Sequence, residues 1–123
     1  TALSAVIAQR LARRLCMRCR EPLVESSEVL SALGFPHDPA DVPELYKAVG
    51  CPACSNTGYR GRVALHEVMT LSDEIESLVV TRSTGSEIRQ VAIAQGMISL
   101  REDGWSKVAQ GLTTIEEVLR VTV

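Results

Sequence analysis

Hydrophobic positions follow a helical period at both ends of the chain and change character in the middle. Leu3, Val6, Ile7, Leu11, Ala12 and Leu15 recur at i, i+3 and i+4 spacing, with Ser4, Arg10, Arg13 and Arg14 opposite. That stripe predicts an amphipathic helix over residues 3–15. Pro22 ends any helix running that far, since it lacks the donor and clashes with the preceding turn. A second short helix is expected over residues 25–33, stopped by Gly34 and Pro36. The three prolines between 34 and 43 mark that stretch as a loop. Residues 45–49 fit a short strand, Ser55, Asn56, Thr57 and Gly58 form a turn cluster, and residues 59–69 are rich in β-branched and apolar side chains. They read as one or two strands, with Gly61 permitting a sharp bend.

The last third returns to helical spacing. Ser72 is placed to N-cap a helix with Ile75, Leu78 and Val79 inside and Asp73 and Glu74 in its first turn. Thr84 and Glu87 form a capping box opening a helix with Ile88, Val91 and Ala92 inside and Gly96 as its stop. Asp103, Gly104 and Trp105 are expected to start a third, with Trp105, Val108 and Ala109 on one face and Gly111 at its end. Thr113 and Glu116 suggest a second capping box, opening a final helix that buries Ile115, Val118 and Leu119. The expected fold is α+β and mostly helical: a small β hairpin or knuckle region plus a compact bundle of short C-terminal helices.

Composition changes this picture in two ways. At 123 residues and 46% hydrophobic the chain suits one ordinary domain, yet only 3% of it is aromatic. Aromatic side chains usually dominate a small core, so the N-terminal half is expected to rely on a metal in their place. Net charge is −2, but Arg10, Arg13, Arg14, Arg18 and Arg20 crowd the first twenty residues without an acid among them. Such a cluster is either a solvated face or a group that meets a negative centre in the fold or on a partner. No apolar run reaches the ~18 residues of a membrane span. The first residues lack the pattern of a secretory signal, and their abrupt start in patterned sequence is expected of a piece cut from a longer chain.

The cysteines carry the strongest chemistry. Cys16 and Cys19 form one C-x-x-C pair and Cys51 and Cys54 another, and the chain has four cysteines in all. Each pair can present two thiolates to one ion, and two pairs complete a closed tetrahedral zinc site whose role is structural. Two disulfides, a redox pair and an iron–sulfur site are the competing readings. A zinc ion held by four thiolates carries a formal charge of −2, which Arg18, Arg20, Arg60 and Arg62, flanking the ligands in sequence, are placed to offset. His37 and His66 are not expected to bind metal. Glu67, Glu102 and Asp103 read as solvated surface acids. No phosphate-binding loop or nucleophile motif is present, so catalysis by this chain alone is not expected.

These residues resemble one family. The run from Ala8 to Cys19, the second pair followed by Thr57, Gly58, Tyr59, Arg60, Gly61 and Arg62, and then Leu65, His66, Glu67 and Val68 are similar to the tetracysteine region of type II secretion and type IV pilus assembly ATPases. Gly96, the stretch from Leu100 to Gly104, Lys107, and the stretch from Gly111 to Val118 look like their C-terminal helices. The resemblance implies a C-terminal fragment of a hexameric motor whose ATP- and Mg²⁺-binding, hydrolysing motifs lie elsewhere in the parent. It implies residues 1–15 as the last helix of the ATPase core, 16–70 as the zinc-binding subdomain and 71–123 as a helical bundle. It further implies neighbouring motor subunits and an inner-membrane platform protein as partners, with no nucleic acid and no membrane insertion. The expected location is cytoplasmic, at the inner face of the inner membrane. A free-standing zinc-knuckle adaptor that binds nucleic acid or protein is the alternative.

Overall fold

A computed structural model describes residues 4–122. In chain order the elements are β1 (Ala5–Leu15), β2 (Glu21–Leu23), α1 (Ser27–Leu33), β3 (Leu45–Lys47), a single 3₁₀ turn (Pro52–Cys54) and β4 (Tyr59–Thr70). Four helices follow: α2 (Asp73–Val80), α3 (Gly85–Ala94), α4 (Leu100–Ala109) and α5 (Ile115–Val121). The architecture is α+β, as expected from the patterning.

The first element corrects the sequence reading. Residues 5–15 form a strand, not a helix, and Leu3 lies outside the described residues. β1 pairs antiparallel with β4 from Ala5↔Thr70 to Leu15↔Tyr59, making a long two-stranded ribbon. One ribbon face carries Ala12 and Leu65, both fully buried against the helices. The other carries Ile7 opposite Val68, and both are exposed. Long-range pairing with β4 overrides a local pattern that fits a helix equally well. Near its end the ladder shifts register between Arg13 and Leu15. Gly61, at φ 79, supplies the left-handed residue of this bulge, which is the bend foreseen at that position.

The second ladder is short: β2 pairs antiparallel with β3, Pro22 standing opposite Tyr46 and Leu23 opposite Leu45. Proline is tolerated because each strand of a two-stranded ladder has a free edge.

The core gathers Leu30, Leu45, Leu65, Trp105, Val108, Ile115 and Val118 from α1, both ladders, α4 and α5. Phe35 joins them from the loop after α1, edge-on to Trp105 with ring centroids 5.5 Å apart and planes at 78°. An aromatic from the N-terminal half therefore does enter the core, contrary to the expectation that a metal replaces it there. The geometry is the favourable T-shaped pair.

All five α-helices have a Ser or Thr at the N-cap whose side chain accepts from the backbone amide three residues on. Two starts differ from the patterning. α4 begins one turn early, capped by Ser99, so Asp103 lies inside it. α5 is capped by Thr114, not Thr113, because the Thr113 hydroxyl is used elsewhere. Ala109 is exposed, while Gly104 takes its place on the buried side of α4 against Val118.

Candidate metal centre

The topology brings the cysteines together. β1 runs into the first cysteine pair and β2 leaves it; β3 runs into the second pair and β4 leaves it. Because β1 pairs with β4 and β2 with β3, the two pairs meet where the ladders join. The Cys16 amide donates to the Gly58 carbonyl at 2.9 Å, stitching one turn to the other. The excursion of residues 24–44, with α1 inside it, is the long insertion between the pairs.

The four Sγ atoms lie within 4.8 Å of one another. Cys16–Cys51, Cys19–Cys54 and Cys51–Cys54 are each 3.8 Å apart. A regular tetrahedron built on the Zn–S distance of about 2.3 Å has sulfur–sulfur edges of about 3.8 Å. The donor set thus fits one tetrahedral zinc. No S–S bond joins them: all four are free thiols, well beyond the bonded distance of about 2.05 Å. Cys16 and Cys54 are buried, and Cys19 and Cys51 are half-buried.

Backbone amides are aimed at the sulfurs. Gly50 donates to Cys19 Sγ at 3.3 Å, Cys51 to Cys54 Sγ at 3.2 Å and Gly58 to Cys54 Sγ at 3.2 Å. Unusual backbone makes this possible. Ser55, Asn56 and Gly58 all have positive φ, and Gly50 has φ 120. A Cβ on Gly58 would lie 2.6 Å from the Ala48 Cβ, so only glycine fits.

These amides and mutual crowding split the thiols. The Arg18 amide is the largest influence lowering the Cys16 thiol. Burial pushes Cys54 up, but the amides of Cys51 and Gly58 and the thiols of Cys19 and Cys51 bring it down to about 6. At Cys19 the Gly50 amide lowers the value, yet burial and the three neighbouring thiols carry it up to about 11. A divalent cation held among these sulfurs would supply the positive charge that thiolate ligands need.

Of the four arginines expected around the ligands, one has its side chain engaged elsewhere. Arg20 donates to the Gly111 carbonyl at 2.6 Å and lies over the Tyr46 ring, 3.9 Å from its centroid. Arg18, Arg60 and Arg62 are exposed. Among the described residues no guanidinium hydrogen-bonds a cysteine sulfur, and the donors are main-chain N–H groups.

A cluster that sequence reasoning missed adjoins the centre. Glu117, 2% exposed, accepts from the Arg13 amide at 2.8 Å, Arg13 Nε at 3.0 Å and Arg120 Nε at 3.0 Å. Burial opposes its ionisation, but the hydrogen bonds from Arg120 and Arg13 outweigh that and hold the carboxyl down at about 2. Thr113 Oγ1 donates to the Arg13 carbonyl at 2.8 Å and the Leu15 amide donates to the Leu112 carbonyl at 2.8 Å. Tyr59 Oη and Thr114 Oγ1 are 3.0 Å apart. Residues 111–117 are therefore fastened to Arg13, Leu15, Arg20 and Tyr59, all within a few residues of a cysteine.

The remaining candidates are structural. Glu67 accepts from Arg89 Nη2 at 3.0 Å and from the Leu100 amide at 3.2 Å. Asp103 accepts from the His66 amide at 2.8 Å, occupying the free edge of β4. Neither is a merely solvated acid. His37 holds its loop to α1 through Ser27 Oγ at 2.7 Å, and the His66 side chain is exposed.

Fold and site define a protein module stapled by a closed tetracysteine centre. The chain belongs to the Type II/IV secretion system protein family, whose sequence profile matches residues 1–120. It is 43% identical over 122 residues to the type IV pilus assembly ATPase PilB of Thermus thermophilus, covering 99% of this chain and 14% of that protein. It is 44% identical over 117 residues to type II secretion system protein E of Pseudomonas aeruginosa, covering 95% of this chain and 23% of that protein. With the type II secretion system ATPase E of Vibrio cholerae it shares 38% identity, covering 99% of this chain and 24% of the other. The chain thus spans between about a seventh and a quarter of the length of these relatives. Among the described residues no helix is long and apolar enough to cross a membrane.

Proposed function

We propose that this chain is the zinc-stapled module of a secretion or pilus-assembly motor ATPase, with Cys16, Cys19, Cys51 and Cys54 as the ligands of one structural zinc. The observation that carries the reading is the cysteine cluster, with three Sγ–Sγ separations of 3.8 Å and all four sulfurs within 4.8 Å of one another. Bound there, zinc supplies four coordinate bonds that tie the ends of four strands into one point, a folding contribution that a small core lacks. Everything else is done by the chain itself. Arg13, Leu15, Arg20 and Tyr59 hold the connection between α4 and α5, so these two helices ride on the stapled strand ends as one stiff body.

In the longer proteins this body would follow the ATP-hydrolysing core, and ATP and Mg²⁺ would bind in that core. Its partners there would be neighbouring motor subunits and an inner-membrane platform protein, at the cytoplasmic face of the membrane. Family membership over nearly the whole chain favours this over a free-standing adaptor.

The Cys51→Ser/Cys54→Ser variant tests the structural role. It is expected to lose bound zinc and to melt well below the parent chain. If zinc content and melting temperature both match the parent chain, the structural role is wrong.

A further inference from the structure

β2 and β3 make a ladder of three residue pairs, and Pro22 at its centre decides which main-chain groups face outward. Opposed residues of an antiparallel ladder alternate between pairs that exchange both N–H···O bonds and pairs that exchange none. Pro22 has no N–H to give. Pro22↔Tyr46 is therefore the pair that exchanges none, and the ladder bonds fall at Glu21↔Lys47 and Leu23↔Leu45. The N–H and C=O of Tyr46 then point away from β2, to the free edge of β3. Among the described residues no main-chain hydrogen bond outside the ladders uses either group.

That edge borders a cavity. All three residues of β3, and Ala48 after it, line a space of about 220 Å³. Side chains alternate faces along a strand, so contact with four residues in a row places the space along the edge. Leu33 of α1, Val108 of α4 and Ile115 of α5 supply apolar wall, and Glu25 and Glu116 stand with Lys47 in the lining. Pockets that take whole small molecules run to about 300–1,000 Å³, so this one suits a single side chain. Its acids outnumber its base, and neither Glu25 nor Glu116 forms an ion pair among the described residues. Residues 24–44, which lead from the cavity into β3, add Glu28, Asp38, Asp41 and Glu44 and hold no Lys or Arg.

We propose that the free edge of β3 receives an extended segment of a partner protein, which seats one aliphatic side chain in the cavity and carries Lys or Arg two residues to either side of it. The added residue opposite Tyr46 would exchange both main-chain bonds with it. Its neighbour, on the buried Leu45 side of the strand, would enter the cavity. Residues two apart share a face, which brings the flanking cations to Glu25 and Glu116. Main-chain pairing gives such an added strand its affinity, and the pocket and its rim give it specificity. The proposal goes beyond the motor reading and does not rest on the metal, whose tests are metal content and melting.

The experiment is an amide NMR titration of the purified chain, with metal content measured on the same sample, using the end-blocked peptide Lys-Val-Leu-Val-Lys. A dissociation constant below about 1 mM is expected, with the largest shifts at residues 45–48 and slowed hydrogen exchange at the Tyr46 amide. Three altered peptides each remove one part of the fit: Glu for both Lys, Ser for the Leu, and N-methylation of both Val. Each is expected to bind at least tenfold more weakly. Glu25→Lys/Glu116→Lys is expected to weaken the basic peptide by the same factor, and the altered peptides replace that variant if it melts below the parent chain. Shifts absent from residues 45–48, or equal affinity for any altered peptide, overturn the proposal. A Tyr46 amide that shifts when the chain alone is concentrated identifies a second copy as the occupant and overturns it too.

Discussion

The main-chain amide of Arg13 and its own Nε donate to the same carboxylate oxygen of Glu117, 104 residues further along, at 2.8 and 3.0 Å. The free edge of β1 is thereby closed by a side chain from α5, three residues before the first cysteine. A buried carboxylate satisfied in this way is costly to disturb, because either guanidinium or the amide is left without its acceptor.

That relationship makes stability pH-dependent in a defined window. Glu117 is held at about 2, below its ordinary 4.5. Its contribution is fully present above the unfolded value, and it is lost as pH falls through about 4 toward 2. The shift corresponds to a contribution on the order of 3 kcal/mol. Thermal melting of the parent chain should fall steeply over that range. Glu117→Gln should melt lower at neutral pH and show a shallower acid limb; equal acid limbs in the two proteins would remove Glu117 from this role.

Gly104 is a test of packing against propensity. In an exposed helix interior, Gly→Ala stabilises by about 1 kcal/mol. Here a Cβ would lie 2.5 Å from Val118 Cγ1 and 2.9 Å from its Cγ2, both part of the core contact between α4 and α5. Gly104→Ala is therefore expected to destabilise by about 1–3 kcal/mol in denaturant unfolding. A gain in stability would show that α4 and α5 are packed less closely than described.

Gly58 tests how the main chain supports the metal centre. Its amide donates to Cys54 Sγ, and it combines φ 83 with contact to Ala48. Replacing it by Ala should reduce zinc affinity by about 10–100-fold, in the range found when groups supporting a metal ligand are lost. Competition with a chromogenic chelator reads this directly, and an unchanged affinity would mean that the turn accepts a Cβ at position 58 without moving its amide off Cys54.

Removing the metal should loosen the molecule unevenly. Residues 111–117 are fastened to strand ends adjoining the cysteines, whereas α2 and α3 pack on one another at the far end of the ribbon. Chelation should speed hydrogen exchange at the Arg13 and Leu15 amides at least tenfold while the α2 and α3 amides keep their protection. Uniform exchange across the chain would contradict coupling between the centre and α5.

Much of this was legible in the primary structure because it is local. The cysteine pairs announce their chemistry by spacing, and Ser72 and Thr84 announce helices because a cap satisfies amides only three residues away. β1 was not legible. Its apolar positions satisfy a helical period, and alternate ones also satisfy a strand; Ala, Gln, Arg and Leu are good helix formers. Only pairing with β4, some fifty residues on, decides the matter. The same distance hides Glu117: the capping signal was placed one residue early, at Thr113 and Glu116, and nothing local shows the arginines that Glu117 meets. The placement of Arg20 over Tyr46 is of this kind as well: neighbours in sequence suggested the thiolates, while the β2–β3 ladder set a tyrosine ring beneath it.

The central claim is that four cysteines close on one zinc. X-ray absorption at the zinc edge, with elemental analysis of the same purified chain, tests it most directly. The account predicts one zinc per chain and a first shell of four sulfurs at about 2.3 Å. A shell containing nitrogen or oxygen, or a chain that folds to the same stability with no metal bound, would contradict it.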